Sequence, residues 1–424
     1  MRIAMIATGS RGDVQPYVAL GKGLGAAGHE VRLITHENFG SLVQSQGVGF
    51  WPVEGNVQDV AQSEEMRERI EKGNFLLIMR LMAKAAEEGA VHLVKGGMEA
   101  CHDADLILGG MGGEFTGVAL AEKFNLPFLP AYLVPFTPTK SFASVLLPAQ
   151  IPVPSGILKQ ASHTLTRQLM WQSFRSADRV ARKNILGLPA APFLGPYNSN
   201  QTIGNPVLYG YSPSVIPKPP DWPYSIHVTG YWFLDSPTDW EPPDDLVAFM
   251  DAGSPPIYIG FGSMAHRNPQ ETTELILQAL GSTEQRAILL SGWGGMDKFN
   301  LPDSVYMIDS LPHSWVFPKV AAVVHHGGVG TTAAGLRAGV PSVIVPFFGD
   351  QPFWGDRIAK LGVGPKPIPR KRLTPENLSN AINAAISDNP MRQQAAKLGM
   401  KIRAEDGIGN AVNVIDNFAH QYAS

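Results

Sequence analysis

The sequence predicts an α/β protein made of two domains, each with a doubly wound parallel sheet. Apolar runs typical of buried strands alternate with helical segments along most of the 424 residues, and this order builds parallel sheets. The length exceeds what one hydrophobic core usually serves. Each half also starts with a strand and a glycine-bearing loop, at residues 9–14 and 260–264. Ligands of such sheets bind beyond the carboxyl ends of the strands.

The first half begins as a nucleotide-binding fold does. Residues 3–8 read as a buried strand, a helix follows that stops at Gly28, and residues 31–35 form the second strand. A later strand at 104–108 ends in a glycine-rich loop, and a helix and the strand 127–132 come after it. The repeated strand–helix order predicts that these strands lie parallel in one sheet.

Residues 135–154 interrupt this alternation with a proline-rich apolar segment, which is longer than an ordinary connection. A helical stretch at 157–181 follows it. One interpretation is a hairpin of helices that packs on the core. The other is a lipophilic wall around Leu146 and Ile151 that covers an acceptor pocket and makes a weak peripheral contact with a membrane.

The composition changes again between residues 212 and 243, which are dense in Pro, Asp and Trp. We place the linker here, at 217–243, so that the first domain covers residues 1–216. The second domain covers 244–403 and restarts with a strand at 256–261.

A strand–turn–helix–strand unit at residues 320–346 carries the strongest chemical signal. Its turn contains His326, and three glycines follow that histidine at 327, 328 and 330. The start of a helix offers unpaired N–H groups and the positive end of the helix dipole, which together bind anions. The glycines would let the backbone approach a phosphate, Thr331 or Thr332 could donate a hydroxyl, and His326 could donate a ring N–H to the same oxygens. The alternative is a tight glycine turn capped by threonines.

Composition excludes several other classes. The formal net charge is -3, so nothing points to nucleic acid. Cys101 is the one cysteine, which excludes an intrachain disulfide and a cysteine-based metal cluster. The first residues read as a strand rather than a signal peptide, and no stretch approaches the ~18 apolar residues of a spanning helix. The expectation is a cytoplasmic protein.

Three motifs resemble a known family. Residues 10–24 (SRGDVQPYVALGKGL), 259–264 (IGFGSM) and 325–362 (HHGGVGTTAAGLRAGVPSVIVPFFGDQPFWGDRIAKLG) are similar to UDP-glycosyltransferases of the GT-B fold, above all to sterol glucosyltransferases and then to bacterial natural-product enzymes. The resemblance implies two Rossmann-like domains whose parallel sheets face a central cleft. It also implies a last helix, here 404–424, that crosses back to the first domain, and an inverting, metal-independent transfer.

The resemblance implies that the C-terminal domain binds the donor, UDP-glucose, and the N-terminal domain a lipophilic acceptor. The negative charge of the departing diphosphate must be neutralised. The resemblance implies that glycine-rich loops do this in place of a metal cation. Asp103 and Asp105 fit a metal-binding pattern, but they stand at the beginning of their strand, at the edge away from the cleft, so we expect them at the surface. The residues expected at the nucleotide sugar are Ser10, Arg11, Gly12, Gly262, Ser263, Trp293, Leu311, His313, His326, Gly328, Val329, Gly330, Thr331, Asp350 and Gln351.

Some of these residues have a second interpretation. Asp350 and Gln351 stand where the family binds glucose hydroxyls, yet Asp350 could simply cap the next helix. Leu311 and His313 stand where the family reads uracil and ribose. Trp293 either stacks on the base or fills the core.

The general base is expected to be Asp13, because the acceptor hydroxyl must lose a proton and the bacterial and sterol members carry an acid here. Asp13 could alternatively be a helix N-cap, and Glu114 is the reserve candidate. Burial would have to tune the pKa of either carboxyl. The other functions considered are transfer from a dTDP-sugar to an antibiotic or glycolipid, a nucleotide-sugar epimerase or hydrolase, and a silent binding protein.

Overall fold

The computed structural model describes residues 1–55, 75–147, 151–235, 240–262, 269–291 and 301–423. These residues form two compact units. The first unit combines described residues up to 234 with 405–423, and the second lies within 235–404.

The described strands are β1 (Arg2–Ile6), β2 (Glu30–His36), β3 (Gly49–Val53), β4 (Leu106–Gly109), β5 (Phe128–Tyr132), β6 (Val207–Tyr209), β7 (Ile226–Val228), β8 (Ile257–Gly260), β9 (Ala287–Leu290), β10 (Val305–Ile308), β11 (Ala322–His325) and β12 (Ser342–Ile344). The described α-helices are α1 (Arg11–Ala26), α2 (Gly40–Gln44), α3 (Phe75–Cys101), α4 (Glu114–Phe124), α5 (Gly156–Val180), α6 (Asp244–Asp251), α7 (Pro269–Gly281), α8 (His313–Val316), α9 (Val329–Ala338), α10 (Gln351–Leu361), α11 (Pro375–Ser387), α12 (Asn389–Arg403) and α13 (Gly407–Ala423).

The first unit contains a seven-stranded parallel sheet in the order β3-β2-β1-β4-β5-β6-β7. Successive side chains of β1 point to opposite faces, so Ile3 and Met5 join a core with α1, whereas Ala4 and Ile6 join a core with α3 and α4. Both faces of the sheet are therefore covered, as parallel sheets require.

The last helix belongs to the first unit, where α13 packs against α1. Ile408 of α13 lies so close to Gly23 of α1 that a β-carbon there would clash with it. His29 Nε2 lies 2.6 Å from Asp416 Oδ1, and the Asn410 amide donates to the Thr229 carbonyl at 3.0 Å.

The first unit extends further than the boundary that we place from composition. β7 lies inside the proposed linker 217–243, yet it pairs with β6 as the last strand of the first sheet. Trp222 stacks on Tyr209 with centroids 4.8 Å apart, and its indole donates to the Pro138 carbonyl at 3.2 Å. These aromatic residues pack the end of a sheet, and a three-residue strand is too short to show a pattern among prolines.

The second unit contains a five-stranded parallel sheet in the order β10-β9-β8-β11-β12. Ile257 and Ile259 face one core, and Tyr258 between them faces the other. In each unit the chain reverses its direction of travel across the sheet, between β1 and β4 in the first and between β8 and β11 in the second. Ligands of doubly wound sheets bind at this switch point.

None of the described helices is long and apolar enough to cross a membrane.

Candidate active site

The switch point of the first unit brings two carboxylates to one edge of the sheet. Asp13 lies in the first turn of α1, which follows β1, and Glu114 is the first residue of α4, which follows β4. Because β1 and β4 are neighbouring parallel strands, the two helices start at the same edge. Both residues are candidate bases from the sequence, but their chemical surroundings differ.

Asp13 is held by the residue that caps its helix. Ser10 is the N-cap, and its backbone N–H and its hydroxyl both donate to Asp13 Oδ2, at 2.7 and 2.8 Å. The interpretation of Asp13 as the N-cap is therefore wrong, since it stands three residues later and closes a capping box. Within the described part of the chain, no hydrogen bond reaches the other oxygen, Oδ1.

Gly9 makes this arrangement possible. Its φ of +134° lies in a region that side chains with a β-carbon rarely adopt. A β-carbon on Gly9 would lie 2.5 Å from Asp13 Oδ2. The loop thus needs glycine both for its conformation and for the space that the carboxylate fills.

The environment of Asp13 suits a base. The residue is exposed, so the surrounding protein removes only part of its hydration. That desolvation raises the pKa of the carboxyl, and the two hydrogen bonds from Ser10 offset the rise in part. A raised pKa makes a carboxylate a stronger proton acceptor.

Glu114 is enclosed instead. Its side chain is 2% exposed, and the Tyr132 hydroxyl donates to its Oε1 at 2.8 Å. Burial raises the pKa of this carboxyl to about 6, while the positive charge of Arg167 and the Tyr132 hydrogen bond act in the opposite direction. Arg167 stacks over the Tyr197 ring, 4.0 Å from its centroid. An acceptor hydroxyl would reach Asp13 more easily than Glu114.

The residues around Asp13 that the sequence assigns to the nucleotide sugar also start α1. The Ser10 hydroxyl donates to Asp13 Oδ2. Arg11 is exposed and donates from Nε to Gln15 Oε1 at 2.9 Å. Gly12 is the second residue of the helix.

In the second unit, the loops after β8 and β11 meet at His326. The imidazole lies between two glycines, because a β-carbon on Gly262 would stand 3.1 Å from Cε1 and one on Gly328 would clash with Nε2. Gly262 has a φ of +61°. Burial lowers the pKa of His326 to about 4, so the ring is neutral at pH 7 and can donate one hydrogen bond.

α9 begins three residues after this histidine, at Val329. Gly328 is its N-cap, and Val329, Gly330 and Thr331 form the first turn. The first N–H groups of a helix have no partner within the helix, and the dipole makes this end positive. The predicted diphosphate cradle is thus a helix start with a neutral donor beside it.

His325, which the sequence analysis leaves without a role, supports the turn. It is fully buried at the end of β11, and its Nδ1 accepts the Gly327 N–H at 3.1 Å. A buried ring nitrogen therefore orients the glycine turn. Gly327 itself has a φ of +90°, which favours glycine.

The loop after β10 carries the two residues assigned to uracil and ribose. Leu311 is buried in the core beside Tyr258. His313 starts α8, stacks on Phe317 with centroids 4.4 Å apart, and lies 3.3 Å from the Tyr258 hydroxyl through Nε2. The imidazole is therefore held from two sides.

Asp350 and Gln351 lie at the start of α10, past β12. Gln351 is 6% exposed, and its Oε1 accepts the backbone N–H groups of Phe347 at 2.8 Å and Phe348 at 3.3 Å. Asp350 Oδ2 accepts the Trp354 indole N–H at 2.8 Å. Gln351 thus shapes the preceding loop, and Trp354 fixes the direction of the Asp350 carboxylate.

Two assigned residues, Ser263 and Trp293, lie outside the described residues. The acidic pair stands before β4, at the amino edge of the first sheet, away from Asp13. Asp105 Oδ2 accepts the Arg2 backbone N–H at 2.7 Å. A hydrogen bond from Arg32 is the main cause that holds the pKa of Asp103 well below its usual range. Both carboxylates are thus paired with arginines.

Two different family models match the two halves of the chain. Residues 3–143 match the glycosyltransferase family 28 N-terminal domain. Residues 274–409 match the C-terminal domain of the erythromycin biosynthesis protein CIII-like family.

Two sterol 3-beta-glucosyltransferases of Arabidopsis thaliana are each 37% identical over 97% of this chain, which spans 64% and 67% of their lengths. This chain belongs to the GT-B glycosyltransferases. A sterol 3-beta-glucosyltransferase of Aspergillus terreus is 36% identical over 98% of the chain, which spans 30% of that relative. This glycosyltransferase spans about two thirds of the length of each plant relative and less than a third of the length of the fungal one.

Solved structures share the fold at low identity. The calicheamicin glycosyltransferase superposes with a TM-score of 0.69 at 18% identity, covering 100% of both chains. The kitacinnamycin glycosyltransferase gives 0.68 at 19% identity and covers 98% of each chain.

Four residues that support the site of this glycosyltransferase were not predicted from the sequence: Gly9, Tyr132, Tyr258 and Trp354. For Trp354 a signal exists, because residues four apart on a helix are neighbours and Asp350 precedes it by four. The other contacts join residues that are far apart in the chain or depend on a backbone angle.

Proposed function

We propose that this glycosyltransferase moves glucose from UDP-glucose to a hydroxyl of a sterol or a similar lipophilic polycyclic alcohol, with inversion and without a metal. The observation that carries the proposal is the 37% identity to plant sterol 3-beta-glucosyltransferases over 97% of the chain. The open Oδ1 of Asp13 and the helix start beside His326 supply the two functions that the transfer needs.

Asp13 acts as the general base in this proposal. Its Oδ1 removes the proton of the acceptor hydroxyl while that oxygen attacks the anomeric carbon from the face opposite the leaving group. One C–O bond forms as the C–O bond to the diphosphate breaks, so the configuration inverts. The hydrogen bonds from Ser10 to Oδ2 keep Oδ1 oriented. A positioned base of this kind contributes about 10²–10⁴-fold.

The second unit binds the donor. The N–H groups at the start of α9 and the neutral His326 ring donate to the diphosphate, whose negative charge grows as it leaves. Leu311 and His313 bind the nucleoside side, and the carboxylate of Asp350 accepts from glucose hydroxyls. These fixed dipoles supply the charge stabilisation that a metal ion supplies in other transferases.

An acceptor panel tests the proposal. The protein is incubated in excess EDTA with UDP-glucose and with sterols, flavonoids and macrolides, and mass spectrometry follows the addition of one hexose. We expect a hexosylated sterol without added metal. A parallel reaction with dTDP-glucose tests the other donor, because a structural relative was solved with thymidine diphosphate. Absence of any sterol product, or a product that requires a divalent ion, would contradict the proposal.

A further inference from the structure

Two buried polar atoms of the first unit have no hydrogen-bond partner and lie beside the same aromatic rings. Glu114 Oε2 and Arg167 Nε are both shielded from solvent, and no described residue bonds to either atom. An unsatisfied buried polar group costs stability, and folded proteins keep few of them. The pair therefore points to a ligand group, or a water molecule, that completes the site.

Three rings connect the two residues. The Tyr132 hydroxyl donates to Glu114 Oε1 at 2.8 Å, and the Tyr132 ring lies 5.2 Å from the Phe136 ring between centroids. The Arg167 guanidinium stands over the Phe136 and Tyr197 rings, 5.2 and 4.0 Å from their centroids. We call these five residues the Glu–Arg cluster.

Glu114 and Arg167 carry opposite charges, yet no described atom satisfies Oε2 or Nε. Burial raises the pKa of Glu114 to about 6, and the positive charge of Arg167 opposes that rise, so the two side chains are near enough to interact. A space between a carboxylate oxygen and a guanidinium N–H fits a group that donates one hydrogen bond and accepts another. A hydroxyl does both.

The Glu–Arg cluster is linked to the candidate base through Tyr17. This residue lies four positions after Asp13 on α1, so the two side chains are neighbours on the helix. The Tyr17 hydroxyl donates to the carbonyl of Ala131, the residue before Tyr132. Burial raises the pKa of Tyr17, and the charges of Asp13 and Glu114 raise it further. One acceptor molecule can therefore reach both carboxylates.

We propose that the Glu–Arg cluster binds a second hydroxyl of the acceptor, which donates to Glu114 Oε2 and accepts from Arg167 Nε. The inference rests on the proposed function and narrows its substrate class to a diol or polyol on a lipophilic ring skeleton. The reacting hydroxyl lies at Asp13, and Glu114 determines specificity. The surrounding rings exclude water, which strengthens the hydrogen bonds. Arg167 is half-buried, so the cluster is reachable from its side.

Acceptor affinity tests the inference without turnover. Steroid diols that differ in the position of the second hydroxyl are each compared with the mono-ol of the same skeleton. Tryptophan fluorescence measures the dissociation constants in the absence of donor. We expect at least one diol to bind the wild type about tenfold or more tightly than its mono-ol, the scale of one hydrogen bond to a charged group. If every diol binds like its mono-ol, a water molecule fills the space and the inference is wrong.

Two variants assign the preference to its residues. Glu114→Gln keeps an oxygen for the Tyr132 hydroxyl, but the amide nitrogen in place of Oε2 cannot accept a hydrogen bond. The advantage of the preferred diol should fall to within about threefold, and Arg167→Met should reduce it in the same direction. Glu122→Gln is the matched control, because it makes the same chemical change on α4 at a carboxylate that accepts from Arg182 at 2.7 Å. It should leave the diol advantage unchanged.

Transfer from UDP-glucose to the same acceptors separates this inference from the proposed function. A diol preference in binding without any hexosylated product would support the cluster's role and contradict the transfer. Hexosylated products with equal affinities for diol and mono-ol would overturn the inference while the transfer stands. Thermal melts establish that each variant is folded, and a diol advantage that persists in folded Glu114→Gln would also overturn it.

Discussion

Replacement of Gly9 by alanine disturbs the proposed base without touching it chemically. The new β-carbon would lie 2.5 Å from Asp13 Oδ2, 2.9 Å from Asp13 Cβ and 2.9 Å from Asp13 Cγ. Because all three contacts are with the Asp13 side chain, that side chain cannot keep its position. We therefore expect Gly9→Ala to displace Asp13.

The size of the effect follows from the contact distance. An ordinary contact needs about 3.4 Å, so the carboxylate must shift by roughly 1 Å, and a misplacement of this size can cost about 10²-fold in rate. The shift also weakens the two hydrogen bonds from Ser10. Separately, a non-glycine residue at this φ costs about 1–3 kcal/mol of stability.

Gly28→Ala is the matched control. Gly28 has a φ of +91°, and no atom lies within 4 Å of the point where a β-carbon would stand, so alanine there brings backbone strain alone. The assay measures kcat for glucosyl transfer to an aliphatic alcohol and the free energy of unfolding of both variants. We expect both to lose stability and only Gly9→Ala to lose about 10²-fold in kcat. If Gly9→Ala turns over within about threefold of Gly28→Ala, the position of Asp13 does not control the reaction.

Further predictions concern the second unit. His326→Ala should lower kcat by about 10²-fold or more, the scale of one preorganised donor to developing negative charge, and an unchanged kcat in a folded variant would make His326 structural. The pKa of His326 is about 4 in the folded protein, below its ordinary value near 6.5, so its contribution to stability is complete above pH 6.5 and is lost as the pH falls toward 4. Denaturant titrations should show up to ~3 kcal/mol more loss across that window in wild type than in His326→Gln, and parallel curves would refute the shift. Gln351→Ala should cost about 1–3 kcal/mol, because it leaves the N–H groups of Phe347 and Phe348 without their acceptor. Asp350→Asn keeps a side-chain oxygen that can accept the Trp354 indole N–H. The variant should weaken the selectivity for the sugar. Its affinity for free UDP, measured by calorimetry, should stay unchanged. An equal loss of UDP affinity would place Asp350 elsewhere.

Local sequence patterns were enough to predict the strands and helices whose sequences are strongly periodic. The β-branched run before His325 and the glycines after it predict a strand, a turn and a helix start, and the structure has β11 and α9 there. Asp350 was considered as a cap of the next helix, and α10 begins directly after it, at Gln351. Periodicity and glycine position are properties of neighbouring residues, so one sequence reveals them.

Short strands and long-range contacts could not be predicted in the same way. β6 and β7 have three residues each, and their pairing depends on a sheet assembled from distant segments. Composition therefore placed a linker where the first unit still continues. Likewise, the enclosure of Glu114 depends on Tyr132 and Arg167, which no local pattern connects to it.

The capping residue illustrates a smaller error of the same kind. A serine, an arginine, a glycine and an aspartate stand where the helix begins, and both Ser10 and Asp13 are good capping residues. Backbone angles decide between them, and they make Ser10 the N-cap. The correction leaves Asp13 Oδ1 available and so favours the role of base.

Asp13→Asn tests the central claim most directly. Asn can still accept the Ser10 hydrogen bonds through its side-chain oxygen, so the fold should persist, but its amide cannot take up a proton. Wild type and variant are compared for UDP-glucose affinity by calorimetry and for transfer to an aliphatic sterol hydroxyl, whose high pKa makes proton removal necessary. We expect equal donor affinity and a loss of about 10²–10⁴-fold in kcat. A folded Asp13→Asn variant that retains most of its kcat on that acceptor would contradict the mechanism, and Glu114 would be the next residue to change.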